Sequence, residues 1–346
     1  MASTISSNVH NRDDDFFFSV IIPLYNKEPY IERALNSVLG QSFGDFEIIV
    51  VDDCSTDGGL VVVEKILSKS QKPYRIIQRS KRGGSCAPSR ATGLRYARGK
   101  FVAFLDADDE WKEGFLSEIT SLIESFPDAE AYAVDRELNI EGRVEPGPYG
   151  ERSDLAEAHA IDLERYLVAR ERFGNPFRVQ GMVFSPEALD DIGGFVHAPR
   201  SSDIDLMFRF FLAGKVAAWS PYNGLVIHRV PDSTMANTPT QVTRPWYYSV
   251  RKALDRGDLS KNMMRKLEAD VQRVKSRDLI NAIQYGVLSI HYFNNNIVRQ
   301  RPLFSMFCFI LVLVPFLQGR GTSYFFKTYD AVANKIFKGF RNHFSR

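Results

Sequence analysis

The stretch Phe101-Val-Ala-Phe-Leu-Asp106-Ala-Asp108-Asp109-Glu110-Trp111 decides how this chain is read. Residues 101–105 are an apolar run of strand length, the pattern of a strand covered on both faces in a parallel sheet. The run stops at Asp106, Asp108 and Asp109. Crowded carboxylates repel one another unless a positive charge sits among them. Hard divalent cations such as Mg²⁺ or Mn²⁺ take oxygen ligands and bridge to phosphates. In open α/β sheets, ligands bind at the carboxyl ends of strands. The segment therefore reads either as a metal–diphosphate site or as an acidic turn whose Asp109 caps a helix starting near Trp111.

Upstream, the same unit recurs. An apolar strand over 16–23 leads through Tyr25, Asn26 and Lys27 to a helix over about 29–39, with Ile31, Leu35, Val38 and Leu39 at helical spacing. A strand over 46–51 runs into Asp52, Asp53 and Gly58-Gly59, and a helix over about 60–68 follows. A strand over 74–78 precedes a basic loop, Arg82-Gly83-Gly84 to Arg90, which opens a helix over 91–97. Strand alternating with helix in this way argues an α/β fold with a parallel sheet and right-handed crossovers. Each strand then delivers polar groups to one edge. Tyr25 can stack on a base, and Asp53 can accept from a uracil imide or a ribose hydroxyl. Arg90 and the Gly83 and Gly84 amides can hold phosphate. Equally, Asp52, Asp53 and Asp57 can form only a turn and cap, and Arg90 can be a solvated helix residue.

The totals are those of a globular chain: 346 residues, 44% hydrophobic and 25% charged. A net charge of +2 gives no case for a nucleic-acid partner. Cys54, Cys86 and Cys308 lack metal-type spacing and fit a reducing compartment. Residues 1–15 read as a flexible polar arm, with no secretory signal ahead of the first apolar run.

In order and spacing, SVIIPLYNKEPYIERALNSVLGQSFGDFEIIVVDDCSTDGG followed by GGSCAPSRATGLRYARGKFVAFLDADDEW resembles the family 2 glycosyltransferases of GT-A fold. The likeness is strong over 18–115 and continues to about 230. It implies a Rossmann-like, mostly parallel sheet flanked by helices. It also implies an inverting transferase that uses a nucleotide-diphospho-sugar, a UDP-sugar foremost, and Mn²⁺ or Mg²⁺. By position, Pro23 and Tyr25 match the nucleotide-binding segment, Asp53 the uracil-contacting aspartate, and Arg90 the arginine of the family's A-R-N segment. Asp106 and Asp108 match the D-x-D pair, with Asp108 on the metal and Asp106 on ribose or a metal-bound water. The chain departs from the family pattern at Ser89 and Ala91, where Ala and Asn are usual, and in the Gly83-Gly84 loop.

Beyond 110, a helix is expected over 111–125 and a strand over 129–134. Residues 135–177 read as polar and irregular apart from a helix near 161–170. A strand over 179–184 and a helix opened by Ser185-Pro186 follow, the proline at the first helical position. The segment Arg200 to Arg209 resembles the family's base loop, with Ser202 where glutamate is usual. An acceptor hydroxyl has a high pKa and needs a carboxylate to take its proton. The resemblance puts Asp203 there, with Asp205 as second choice. Helix capping is the plain alternative for Asp203. His228, at the end of a strand over 223–228, is a further candidate for the metal or diphosphate.

An amphipathic helix is expected over about 259–294. Residues 303–317 are apolar but short of the length that spans a bilayer. Residues 325–346 alternate Phe, Ile and Val with Lys327, Lys335, Lys338, Arg341 and Arg346, which suits an anionic membrane surface. The expected layout is thus an arm (1–15), a GT-A domain (16–235, with a nucleotide-sugar half to 110 and an acceptor half after it), and a helical, membrane-associating region (236–346). The chain would work on the cytoplasmic face of the inner membrane, on a glycan or polyprenyl-linked acceptor. The rival readings are a sugar nucleotidyltransferase and a non-catalytic nucleotide-sugar-binding protein. Neither a glycine-rich loop after the first strand nor a decayed acid set is present to favour them.

Overall fold

The computed structural model describes residues 2–7, 15–147, 157–196, 202–230, 245–257 and 259–284. Four strands, β2 (Phe16–Leu24), β3 (Phe46–Asp52), β4 (Tyr74–Arg79) and β5 (Gly99–Phe104), lie in the order β4-β3-β2-β5 and are all parallel. The crossovers are α1 (Glu28–Leu39), α2 (Gly59–Leu67) and α3 (Cys86–Leu94). β2 and β3 are buried almost end to end because helices cover both faces of the sheet. Val20, Ile22, Ile48, Val50 and Ile76 turn to the face packed by Ile31, Leu35 and Val38 of α1. Each such side chain contributes about 1.5–3 kcal/mol on burial.

One buried charge inside this sheet is hydrogen-bonded through a single oxygen and meets an arginine at the other. Glu47, on β3, accepts from Ser19 and from the Arg98 amide at 2.7 and 2.8 Å, and Arg75 lies 3.7 Å away. Gly99 starts β5 against this cluster, because a Cβ there would lie 2.3 Å from the Ser19 nitrogen. Buried carboxylates survive only with such partners.

After β5 come β6 (Glu110–Trp111), α4 (Phe115–Ser125), β7 (Ala131–Ile140), β8 (Arg143–Glu145), β9 (His159–Ile161), α5 (Leu163–Phe173), β10 (Met182–Phe184), α6 (Pro186–Asp191), α7 (Ser202–Leu212) and β11 (Ala217–Arg229). β10 is antiparallel to both β5 and β7, β7 is parallel to β11, and β6 closes the far edge antiparallel to β11. Parallel pairing thus dominates the first half only, and the second half is mixed.

Several elements differ from the sequence reading. Residues 2–7 are not part of a free arm but form β1 (Ala2–Ser7), antiparallel to β4. An outer strand offers unpaired backbone groups that any nearby extended segment can take. The helix after the glycine-rich loop opens at Cys86, so Arg90 sits inside it. Asp109 caps no helix at Trp111: α4 starts at Phe115 and Trp111 belongs to β6. The stretch expected to be irregular after 135 instead extends β7 and turns at Glu141-Gly142 into β8.

A compact unit comprises Met1–Thr238 and Thr243–Val271, and a second comprises Pro239–Val242 and Gln272–Arg346. The first unit therefore runs past the boundary expected at 235. α8 (Pro245–Arg256) buries Trp246 against Phe208 of α7, ring centroids 4.9 Å apart. Arg170 joins them, its guanidinium over both rings and within 2.8 Å of Asp270 on α9 (Lys261–Gln284). Of the second unit the structure describes 272–284, the last part of the helix. The segments 303–317 and 325–346 lie outside the described residues. Among the described residues, no helix is long and apolar enough to cross a membrane.

Candidate active site

The carboxyl ends of β2, β3 and β5 share one edge because the strands are parallel neighbours. β2 leaves the sheet through Pro23 and Leu24 into Tyr25. The next residue, Asn26, has φ of 48°, and Cys54, just past β3, has φ of 64°. Non-glycine residues in this region are strained and persist where surroundings hold them. Here the hold is mutual. Thr56 N–H donates to Asn26 Oδ1 at 2.8 Å and Asn26 N–H donates to Ser55 Oγ at 3.1 Å. The two following helices are cross-capped as well. Asp57 accepts from the Glu28 amide at 2.8 Å, and the Glu28 carboxylate accepts from the Gly58 amide at 2.8 Å. The turns that carry Tyr25 and Asp53 are thereby one braced unit.

Asp53 is 4% exposed. Its two oxygens accept from the Gly83 amide at 2.9 and 2.8 Å, and Arg79 lies 3.1 Å away. Burial raises its pKa, opposed by those partners. Arg82, from the same loop, lies over the Tyr25 ring at 4.0 Å. The glycine-rich loop thus meets the tyrosine after β2 and the acid after β3 at one place.

Arg90 is the centre of the site. It is fully buried, and its guanidinium donates to Asp203 Oδ1 at 2.8 Å and to Asp106 Oδ1 at 2.6 Å. Burial works against its charge, but Asp106 and Asp203 outweigh it and hold its pKa well above the usual arginine value. Asp106 comes from the end of β5 and Asp203 from the first turn of α7, so one side chain ties both halves of the sheet. Gln180 adds a second tie, donating to Asp106 Oδ2 at 2.5 Å. It stands just before β10, while Trp111 Nε1 donates to its carbonyl at 2.7 Å. The Cys86 thiol lies beside this group and is pushed up to about 12, by burial first.

Asp106, Asp108 and Asp109 each bring a carboxylate oxygen within 4.8 Å of the others. Asp109 is buried and accepts from the His228 amide at 3.0 Å. Burial holds its carboxyl well above the usual range, and the charges of Asp108 and Asp106 add to that. Lys27 stands 2.7 Å from Asp108 as a monovalent counter-ion. An all-oxygen, anionic donor set with a cation already drawn to it fits a hard divalent ion. The His228 ring is not part of this cluster. Its Nε2 lies 2.9 Å from Glu110 Oε1.

The structure separates the two acids in the first turn of α7. Asp203 keeps a side chain 24% exposed, on Arg90. Asp205 is 2% exposed and fully engaged: Arg209 Nε donates to one oxygen and Ser249 Oγ to the other, both at 2.7 Å. Two residues of the site went unassigned in the sequence. Lys27 follows the Tyr-Asn pair like any helix-entry residue, and Gln180 lies in a segment that reads as plain strand. No spacing pointed to either.

The sheet flanked by helices has the GT-A architecture of solved glycosyltransferase structures. The solved structure of S. aureus TarS residues 1–349 with UDP-GlcNAc superposes with a TM-score of 0.63 at 22% identity, covering 86% of this chain and 81% of that one. The mannosyltransferase PcManGT of Pyrobaculum calidifontis, solved with GDP-Man and Mn²⁺, gives 0.55 at 18% identity over 90% of each chain. In sequence, the chain is 40% identical over 109 residues to the poly(ribitol-phosphate) beta-N-acetylglucosaminyltransferase TarS of Staphylococcus aureus, covering 31% of this chain and 19% of that protein. It is 39% identical over 98 residues to the UDP-Glc:alpha-D-GlcNAc-diphosphoundecaprenol beta-1,3-glucosyltransferase WfgD of Escherichia coli, covering 28% of this chain and 37% of that protein. The chain thus spans less than two-fifths of either relative. Residues 19–181 match the family model described as Glycosyl transferase family 2, and this segment belongs to that family.

Proposed function

We propose that the chain transfers a sugar, with inversion, from a nucleotide-diphospho-sugar to a hydroxyl of a glycan or polyprenyl-linked acceptor in the making of a cell-surface polysaccharide or glycolipid. The observation that carries this reading is the Arg90 bridge between Asp106 and Asp203. It brings the acid after β5 and the exposed acid of α7 to one guanidinium, so that both halves of the sheet contribute to one site. UDP is the favoured nucleotide, because the loop that meets the Asp53 carboxylate through Gly83 also lays Arg82 over Tyr25, and TarS was solved with UDP-GlcNAc. The name of WfgD favours a diphosphopolyprenol-linked acceptor.

In this reading Tyr25 stacks on the base, Asp53 accepts from its imide, and Asp106 takes a ribose hydroxyl. Asp203 accepts the acceptor's proton as the oxygen attacks the anomeric carbon, which contributes typically about 10²–10⁴-fold to rate. Asp205 is given the lesser role because its side chain is 2% exposed, against 24% for Asp203, and an acceptor must reach the base. Asp108, with Asp106 and Asp109 in reach, would hold a divalent cation, which would supply neutralisation of the departing diphosphate. The basic segment 325–346 would hold the chain at the cytoplasmic membrane face near a lipid-linked acceptor, a reading that rests on the sequence alone.

Turnover of a panel of UDP-, GDP- and dTDP-sugars by the full chain, with Mn²⁺ or Mg²⁺ and a diphosphopolyprenol-linked sugar, tests it. Release of nucleoside diphosphate from one donor, abolished in Asp108→Ala, is expected. Full activity in Asp108→Ala would sink the cation assignment, and inertness to every donor would sink the transferase.

A further inference from the structure

Lys27 is the cation nearest the carboxylate cluster that the reaction outlined above does not use. It leaves β2 two residues after Tyr25 and reaches across the sheet edge to Asp108, Nζ to Oδ2 2.7 Å. Its side chain is 12% exposed. The ammonium nitrogen is buried and has no well-directed hydrogen-bond partner among the described residues, so the Asp108 contact is ionic alone. A Lys ammonium has three donors, and burying them unmet costs free energy. The backbone on both sides of this contact is held. Lys27 precedes the cross-capped start of α1, and the Asp108 carbonyl accepts from Arg33 of α1. Neither group is on a loose arm.

We propose that Lys27 is a tethered counter-ion for Asp108: it holds the carboxylate when no divalent cation is bound, and when one binds its unmet donors turn to the diphosphate oxygens. The inference rests on the reading of Asp108 as a metal ligand and goes beyond it. Two positive charges cannot share one carboxylate oxygen without strong repulsion at these distances. A divalent ion that takes Oδ2 therefore displaces Lys27. In the reading above the leaving diphosphate is the anion this cluster receives, and the Lys27 ammonium already stands at that cluster. Lys27 is thus a positioning residue that couples the two ligands. Without nucleotide it competes with the metal. With nucleotide it has somewhere better to go, and the competition disappears.

Affinity for a ligand falls by the fraction of protein in the competent state, so a Lys27–Asp108 pair formed about 90% of the time weakens metal binding about tenfold. Mn²⁺ binding to the full chain, read from the free-ion electron paramagnetic resonance signal with and without UDP, is the test. In Lys27→Met, Mn²⁺ should bind about tenfold tighter than in the wild type without UDP, and UDP should then bind more weakly at saturating Mn²⁺. UDP should enhance Mn²⁺ binding strongly in the wild type and much less in Lys27→Met. Equal or weaker Mn²⁺ binding by Lys27→Met without UDP would overturn the proposal. Thermal melting guards against a merely unfolded variant. Lys27→Met should lose stability in chelator and regain it with Mn²⁺, while Lys27→Met/Asp108→Asn should be stable and blind to Mn²⁺. If Mn²⁺ binds wild type and Asp108→Asn alike, the metal assignment itself fails. If it needs Asp108 but ignores Lys27, only the counter-ion fails.

Discussion

The half of the sheet from β4 to β5 is parallel and presents its polar residues from strand ends, whereas the half built on β10, β7 and β11 is mixed and presents Asp203 from the first turn of a helix. In the first half, position follows from topology. Parallel neighbours end together, so Tyr25, Asp53 and Asp106 share an edge, and cross-capped turns stiffen it. In the second half no such rule places Asp203. It is placed by Arg90, a buried guanidinium that donates across the seam. One region is organised by backbone pairing and the other by a charge it borrows.

This contrast can be broken in several ways. The largest effect belongs to Asp203→Asn, which should lower kcat by about 10²–10⁴-fold while leaving UDP affinity within a factor of a few. A matching loss of UDP binding would mean that the seam cannot be divided into donor and acceptor sides. Next is the Cys86 thiol, which lies beside Arg90. With its pKa near 12 the thiolate is scarce at pH 8. Iodoacetamide should label it about a thousandfold more slowly than an ordinary cysteine, with a rate still climbing tenfold per pH unit between 7 and 9. A plateau near pH 9 would show the seam to be open to water.

Arg90→Met leaves two carboxylates facing each other without their cation. Removing one partner from a buried ion pair costs about 3–5 kcal/mol. Denaturant unfolding should show a loss of that order, partly recovered in Arg90→Met/Asp203→Asn. The smallest effect is expected at the braced turns. Glu28→Gln weakens one cap and should cost about 1 kcal/mol, with a non-additive response when combined with Asp57→Asn because the two caps share one structure.

The parallel half was the legible one. Apolar runs at 16–23, 46–51 and 101–105, each ending in polar residues, carry the strand ends and hence the edge, and the D-D and D-x-D blocks mark where acids must sit. What the sequence hid depended on long-range partners. β1 exists because β4 has an open side, and β7 runs on to Ile140 because β11 pairs with it over its full length. Polar residues in 135–140 look like a loop until that partner is known. Arg90 looked like either a phosphate ligand or a solvated helix residue, since nothing local says that a carboxylate 113 positions later will meet it. Lys27 and Gln180 were invisible for the same reason: each matters through one contact with an acid far away in the chain.

The central claim is that acids from both halves meet in one cation-binding cleft. Anomalous diffraction at the manganese edge, from crystals of the full chain with UDP and Mn²⁺, tests it most directly. The account expects one peak in direct coordination with Asp108 and the UDP diphosphate, in the cleft that Asp203 lines. A peak bound elsewhere, or a diphosphate lying away from Asp108 and Arg90, would contradict it.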